Sequence, residues 1–126
     1  MEQKSIIERV KSFEDACTIL GLDSIKSIPY SEPLSDREKV INAYAKMDII
    51  AEALNEGWVP DWENSNQNKY YPWFYHKSGF GLSYRGYGHW DTGTNVGSRL
   101  CFSNRELAKY AGTHFEEIYR ELFTKK

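Results

Sequence analysis

Residues 70–102 read YYPWFYHKSGFGLSYRGYGHWDTGTNVGSRLCF, and this stretch decides the fold. It holds ten aromatic residues and six of the nine glycines of a 126-residue chain. Aromatic runs that are interrupted by glycine are typical of strands joined by tight turns. The pattern therefore predicts an antiparallel meander of three strands, at 70–77, 80–88 and 96–102.

Strict alternation along these strands sorts their side chains onto two faces. Phe80, Leu82 and Tyr84 fall on one face, which predicts a surface that helices cover. Arg85 and Tyr87 fall on the opposite face, together with Arg99. We therefore expect one apolar side and one side that carries rings and arginines.

Apolar residues at helical spacing surround the predicted sheet on both sides. An apolar stripe runs from Ile6 to Leu20, and Ser12 is placed to restart a helix within it. A capping box that begins at Ser35 predicts a helix over 35–55, and a second box, which begins at Ser103, follows the last strand. We predict a single α+β domain over residues 1–126: a helical part at 1–57, a loop at 58–69, the meander at 70–102, and a C-terminal helix at 103–123 packed on one sheet face.

The charge distribution separates the aromatic segment from the rest of the chain. The formal net charge is −2, but residues 1–68 hold 7 basic and 13 acidic side chains, whereas residues 69–105 hold 5 basic and 1 acidic. The aromatic segment is therefore also cationic, and local fields steer ligands more than net charge does. Cys17 and Cys101 have no metal-ligand spacing and are typical of free thiols in a reducing cytoplasm.

No targeting or membrane segment is evident in the sequence. The N-terminus lacks the apolar core of a signal peptide. No apolar run approaches the roughly 20 residues that a membrane-spanning helix needs. We therefore expect a cytoplasmic protein with no membrane association.

Catalytic motifs are weak throughout the chain. The best candidate is the pair His89 and Asp91, which would need a third polar group in the same pocket to support a hydrolase. The three histidines have no spacing that favours a metal site, and Gly79-Phe80-Gly81 lacks the pattern of a phosphate-binding loop. We predict no catalytic residue, no metal and no cofactor.

A binding surface is the stronger hypothesis, because rings and arginines share one segment. Tyr and Arg dominate protein interfaces, and single-stranded nucleic acids stack their bases on exposed rings. A carbohydrate ligand and a sheet that is merely filled with rings remain alternatives. Arg99, Asn104 and Arg105 lie near a predicted helix N-terminus, which attracts anions. The candidate binding residues are Trp73, Tyr75, Lys77, Arg85, Tyr87, Arg99, Asn104 and Arg105.

Several motifs resemble those of a family of small proteins from anaerobic gut bacteria, their phages and integrated elements. The matching stretches are ALNEGWVPDW (53–62), YYPWF (70–74), SGFGLSY (78–84), VGSRLCFSNRELAKYAG (96–112) and HFEEIY (114–119). The resemblance covers somewhat more than half of the chain. It implies an accessory protein of phage or mobile-element type, and it brings no assigned activity and no catalytic residues.

We therefore expect a non-enzymatic binding module for a protein or a single-stranded nucleic acid. Two alternatives belong to other classes. One is a small hydrolase that uses His89 and Asp91, and the other is a structural protein whose exposed rings are buried in a homodimer.

Overall fold

The computed structural model describes residues 4–77, 81–94 and 98–124. Within these residues, the chain forms five helices and one β-hairpin. The elements in chain order are α1 (Ile6–Arg9), α2 (Phe13–Leu20), α3 (Asp36–Asn55), β1 (Lys69–Lys77), β2 (Gly81–Trp90), α4 (Arg105–His114) and α5 (Glu116–Thr124).

The N-terminal helices begin where the sequence predicts. The Ser12 side chain accepts a hydrogen bond from the Asp15 amide and starts α2, so the apolar stripe is divided into two helices. The Ser35 side chain accepts from the Glu38 amide and starts α3, the longest helix. A side-chain oxygen satisfies one of the free amides of the first helical turn, which is why serine marks these starts.

Helix α3 lies at the centre of the fold, between α2 and α5. Met47 and Ile50 of α3 are fully buried in a cluster that also includes residues of the hairpin and of α4. The buried Asn42 side chain holds the linker before α3, because its amide exchanges two hydrogen bonds with the backbone of Tyr30 (3.0 and 2.8 Å).

The predicted three-stranded meander is wrong, since the described residues form a sheet of two antiparallel strands. Phe102 forms a single bridge with Tyr70, through hydrogen bonds of 2.9 and 2.7 Å, and residues 98–100 turn away. Residues 95–97, where the third strand was expected to begin, lie outside the described residues, as does the hairpin turn at 78–80.

Pro72 explains why the third strand does not propagate. In an antiparallel ladder the next hydrogen-bonded pair after Tyr70 and Phe102 would join Pro72 to Leu100. Proline has no amide hydrogen, so Pro72 has nothing to donate to the Leu100 carbonyl. The same missing amide faces away from β2, which leaves the pairing of β1 with β2 intact.

A side-chain clamp holds the Phe102 segment from its other side. The Asn55 amide nitrogen donates to the Cys101 carbonyl (2.9 Å), and its oxygen accepts from the Ser103 amide (3.0 Å). The last residue of α3 thus takes the place of a neighbouring strand for this short extended segment.

A bulge changes which side chains share a face of the hairpin. The register pairs Trp73 with Gly86 and Phe74 with Tyr84, so Arg85 is an extra residue in β2. Beyond this bulge the alternation reverses. Tyr87 therefore lies opposite Pro72 on the side of Leu82 and Tyr84, whereas strict alternation predicts it on the side of Arg85.

The C-terminal helical part packs on one side of the hairpin, where the Phe74 and Tyr119 rings lie 4.7 Å apart. It is divided at Phe115 into α4 and α5 rather than continuous over 103–123. Among the described residues, no helix combines the length and the apolar character that crossing a membrane requires.

Candidate binding surface

The hairpin face that points away from α4 and α5, which we name the outer face, carries a row of aromatic rings. The centroid distances are 6.5 Å between Trp73 and Tyr71, 4.1 Å between Tyr71 and Trp90, and 6.1 Å between Trp90 and Trp62. The Trp62 and Trp90 contact holds the 58–68 loop against the end of the hairpin.

Two rings of the outer face are largely open to solvent. Trp73 is 52% exposed and Tyr75 is 54% exposed. They alternate along β1, which places them about 7 Å apart. The guanidinium of Arg85 lies 5.3 Å from the centre of the Tyr75 ring, within the range of a cation–π contact. The bulge thus brings Trp73, Tyr75 and Arg85 together on one surface.

Glycine on β2 gives these rings their room. Gly88 pairs with Tyr71, and a Cβ atom at residue 88 would lie 2.5 Å from the Tyr71 hydroxyl oxygen. A side chain there would push the Tyr71 ring away from Trp90. Gly88 therefore serves ring packing, whereas the sequence pattern assigned the glycines of this segment to turns.

The other candidate residues are placed elsewhere. Arg99 is exposed, but its Nε donates to Asp48 at 3.0 Å, and this hydrogen bond raises the pKa of the guanidinium. Asn104 caps α4 by accepting from the Leu107 amide at 2.9 Å, so it, rather than Ser103, is the N-cap. Arg105 is exposed at the first turn of α4.

Tyr87, another candidate on the hairpin, lies apart from the outer-face cluster, and the Lys77 side chain lies outside the described part of the structure. Tyr87 is 44% exposed and contacts the Tyr70 ring at 6.1 Å, on the side of the hairpin that faces the helices. Lys77 is the last residue of β1 and pairs with Gly81. The structure therefore groups three of the eight candidates, Trp73, Tyr75 and Arg85.

The pair His89 and Asp91 shows no catalytic arrangement in the described part of the chain. The His89 ring packs against Tyr70 at 5.9 Å, on the helix-facing side of β2. Asp91 follows the strand, and its backbone carbonyl accepts from the buried Lys69 ammonium. In the described ranges, no three His, Cys, Asp or Glu side chains gather as metal ligands would. Burial raises the pKa of the Cys101 thiol to about 11, which keeps it protonated and unreactive near neutral pH.

A groove of about 450 Å³ runs beside β1, a volume in the range of small binding sites. Its lining is mostly apolar and aromatic. The residues are Tyr44, Tyr71, Pro72, Trp73, Phe74, His76, Leu82, Trp90, Leu100, Tyr119, Leu122 and Phe123. We name this feature the apolar groove. It joins the outer face to the space between α3 and α5.

Tyr71, Trp90 and the groove were not predicted from the sequence. Tyr71 was detectable, because it alternates with Trp73 and Tyr75 in β1. Trp90 was not, since the bulge at Arg85 decides its face. Part of the groove lining comes from α3 and α5, and no local pattern joins these helices to β1.

Tyr119 is a buried wall of the apolar groove with an unsatisfied hydroxyl. It is 2% exposed, and its hydroxyl has no hydrogen-bond partner among the described residues. Burial also raises the pKa of this phenol, since the ionised form would lose its hydration. An unpaired buried hydroxyl typically costs about 1–3 kcal/mol of stability.

Tyr119→Phe is therefore expected to raise the free energy of unfolding by about 1 kcal/mol. Tyr110→Phe is the matched control, because the Tyr110 hydroxyl donates to the Val10 carbonyl and its loss is expected to destabilise the fold by a similar amount. Urea denaturation followed by tryptophan fluorescence measures both changes. A Tyr119→Phe protein less stable than the wild type would contradict this assignment.

Comparison with known proteins adds no relative to this picture. The chain matches no protein-family model, no curated protein and no solved structure.

Proposed function

We propose that this protein is a non-enzymatic binding module that docks a partner protein on the outer face of its hairpin. The observation that carries the proposal is the cluster of Trp73, Tyr75 and Arg85, whose two rings are more than half exposed. The accessory role in phage or mobile-element biology that the resemblance implies, and a cytoplasmic location, are parts of the same proposal.

The composition of the cluster supports a protein partner. Trp, Tyr and Arg are the residues that most often carry the binding energy of protein interfaces. Each buries a large area on docking, and the rings lose little conformational entropy. The Trp73 ring also packs against Tyr71 in the free protein, so less side-chain entropy is lost when a partner binds.

The cationic residues give less support to a nucleic acid. Binding to a nucleic acid backbone relies on several Lys or Arg side chains that neutralise phosphates. Of the five basic residues in 69–105, Lys69 is buried and Arg99 is paired with Asp48. Only Arg85 lies over an exposed ring of the outer face in the described residues.

Single-stranded nucleic acid is the second candidate, favoured by the spacing of the two exposed rings. Consecutive bases can stack on Trp73 and Tyr75, and Arg85 can reach a phosphate. Such binding would weaken steeply with salt, whereas docking of a protein on rings would not.

The test is a selection of binding peptides from a random library displayed on yeast, followed by affinity measurements with the selected peptides. Trp73→Ala is expected to weaken peptide binding at least about tenfold, since it removes an exposed anchor ring. Tyr30→Ala is the control, because Tyr30 is an exposed ring in the linker before α3. Its effect is expected to be less than about twofold.

A titration with single-stranded oligo-dT at low salt runs beside the selection, with Arg85→Ala and the exposed Arg37→Ala as a matched pair. The contrary outcome is that oligo-dT quenches the tryptophan fluorescence in a salt-sensitive way that Arg85→Ala abolishes and Arg37→Ala does not. That result would show that the outer face binds a nucleic acid and not a protein. The absence of any selected peptide, or peptides that bind Trp73→Ala as well as the wild type, would overturn the proposal. A dimer that Trp73→Ala dissociates would assign the outer face to a homodimer instead.

A further inference from the structure

Side chains of α5 cover one of the two edges of the hairpin, the outer edge of β2. At the β2 edge, the Tyr84 amide donates to the Glu116 carboxylate (2.9 Å), and Arg120 donates to the Leu82 carbonyl (3.0 Å). Glu116 and Arg120 also pair with each other at 2.9 Å. Charged side chains of α5 thus satisfy the groups that a further strand would use, which is a recognised way to block an edge.

The β1 edge has no comparable cover in the described residues. The backbone hydrogen-bonding groups of successive residues point to opposite sides of a strand. Those of residues 72, 74 and 76 therefore point away from β2, as those of Tyr70 do. Tyr70 is bonded to Phe102, and Pro72 ends that pairing. The amide and carbonyl groups of Phe74 and His76 therefore face the side on which no described strand lies. We name this part of β1 the open edge.

The apolar groove lies beside the open edge. Pro72, Phe74 and His76 belong to its lining, together with Leu100 from the segment that turns away from β1. The unpaired backbone groups of the open edge thus lie next to the apolar groove, which has room for apolar side chains. Strand addition uses this combination, since the backbone supplies affinity and the pocket supplies specificity.

We propose that the open edge of β1 binds an extended segment of a partner protein as an added strand, with a large apolar side chain of that segment in the apolar groove. This inference rests on the proposed function and names the form that the partner takes. The backbone groups of Phe74 and His76 are the hydrogen-bonding positions.

A second copy of this chain fits the open edge less well than a foreign segment. If two β1 strands paired edge to edge, the side chains that each copy could place in the groove of the other would be those near Phe74 and His76. Phe74 is already packed against Tyr119 at 4.7 Å, so it is not available to fill another groove. Apolar volume left empty in an interface forfeits dispersion contacts, which favours a partner with a free apolar side chain.

His76→Pro tests the strand without disturbing the hairpin. The His76 amide points away from β2, as the Pro72 position does, so proline there keeps the pairing of β1 with β2 and removes one donor of the open edge. His76→Ala is the control, because it removes the ring and keeps the amide. Both variants are expected to fold as the wild type does, which circular dichroism checks.

We expect His76→Pro to weaken the peptides selected on the wild type at least about tenfold, and His76→Ala to weaken them less than about threefold. Hydrogen exchange at the Phe74 and His76 amides is expected to slow when peptide is bound. Equal affinity of the two variants would overturn strand addition, and the proposed function would stand if Trp73→Ala still weakens binding. If no peptide binds the wild type, both proposals fail. A dimer blocked by His76→Pro would assign the edge to a second copy and overturn this inference.

Discussion

Lys69→Met is expected to lower the free energy of unfolding by about 3 kcal/mol, because two charge-assisted hydrogen bonds are lost and each typically contributes about 1.5–3 kcal/mol. Lys69 is fully buried at the start of β1. Its ammonium donates to the backbone carbonyls of Asn64 (3.0 Å) and Asp91, and it lies 5.2 Å from the centre of the Trp62 ring. In the described residues, the contacts of this buried ammonium group are therefore two backbone carbonyls and an aromatic ring, and none of them is a carboxylate.

The loss is partly offset, since removing a buried charge also removes its desolvation penalty. Methionine keeps most of the volume of the lysine stem, so the cavity term is small. What remains is the Asp91 carbonyl without its Lys69 donor, while the Asn64 carbonyl still accepts from the Gln67 amide (3.2 Å). We expect the damage to begin in the 58–68 loop, which Lys69 joins to the end of β2.

Urea denaturation of Lys69→Met measures this effect, with Lys109→Met as the matched control. Lys109 is exposed on α4, and its change is expected to stay within about 0.5 kcal/mol. Hydrogen exchange is expected to show faster opening of the 58–68 loop in Lys69→Met alone. A loss of less than about 1 kcal/mol would mean that desolvation cancels the hydrogen bonds and that Lys69 does not hold the loop.

The role of Lys69 could not be predicted from the sequence, because the partners of its ammonium group are backbone carbonyls. A carbonyl is present at every residue, so the positions of Asn64 and Asp91 carry no signal for it. The helix starts at Ser12 and Ser35 are the opposite case. There the cap and the amide that it accepts are three residues apart, and the local sequence contains the whole interaction.

The third strand was predicted wrongly although its obstacle was visible in the sequence. Alternation between 96 and 102 resembles a strand, but a strand also needs a partner with free donors. Pro72 lies in the adjacent strand, at the position that the second pair would use. The effect depends on the register between two distant segments, and register is fixed by the Tyr70 and Phe102 pair.

The candidate surface was predicted only in part, because it too depends on the register between two segments. Trp73 and Tyr75 share a face because they are two residues apart in one strand. Arg85 joins them through the bulge that the register requires, while Tyr87 is turned to the other side. The Asp48 partner of Arg99 is 51 positions away, and only the packing of α3 brings it there.

Gly112→Ala is expected to destabilise the protein by about 2 kcal/mol, although alanine favours a helix interior by about 1 kcal/mol over glycine. A Cβ atom at residue 112 would lie 2.8 Å from Cβ of Pro72 and would overlap Cδ1 of Tyr84. Both neighbours belong to the strands on which α4 packs, so neither is a flexible chain end that can move aside. Overpacking of this kind typically costs about 1–3 kcal/mol. The sign of the change therefore distinguishes packing from helix propensity.

The control for Gly112→Ala is Gly93→Ala, which adds the same methyl group where no atom lies within 4 Å. We expect that variant to be neutral or stabilised by about 0.5 kcal/mol. Chemical denaturation of the two proteins gives the comparison, and a stabilised Gly112→Ala protein would contradict the close crossing of α4 on the hairpin. Tyr84→Ala removes the ring atoms that overlap the new methyl group. Combined with Gly112→Ala, it is expected to give a double variant more stable than the sum of the single changes implies, because the two changes act on one contact.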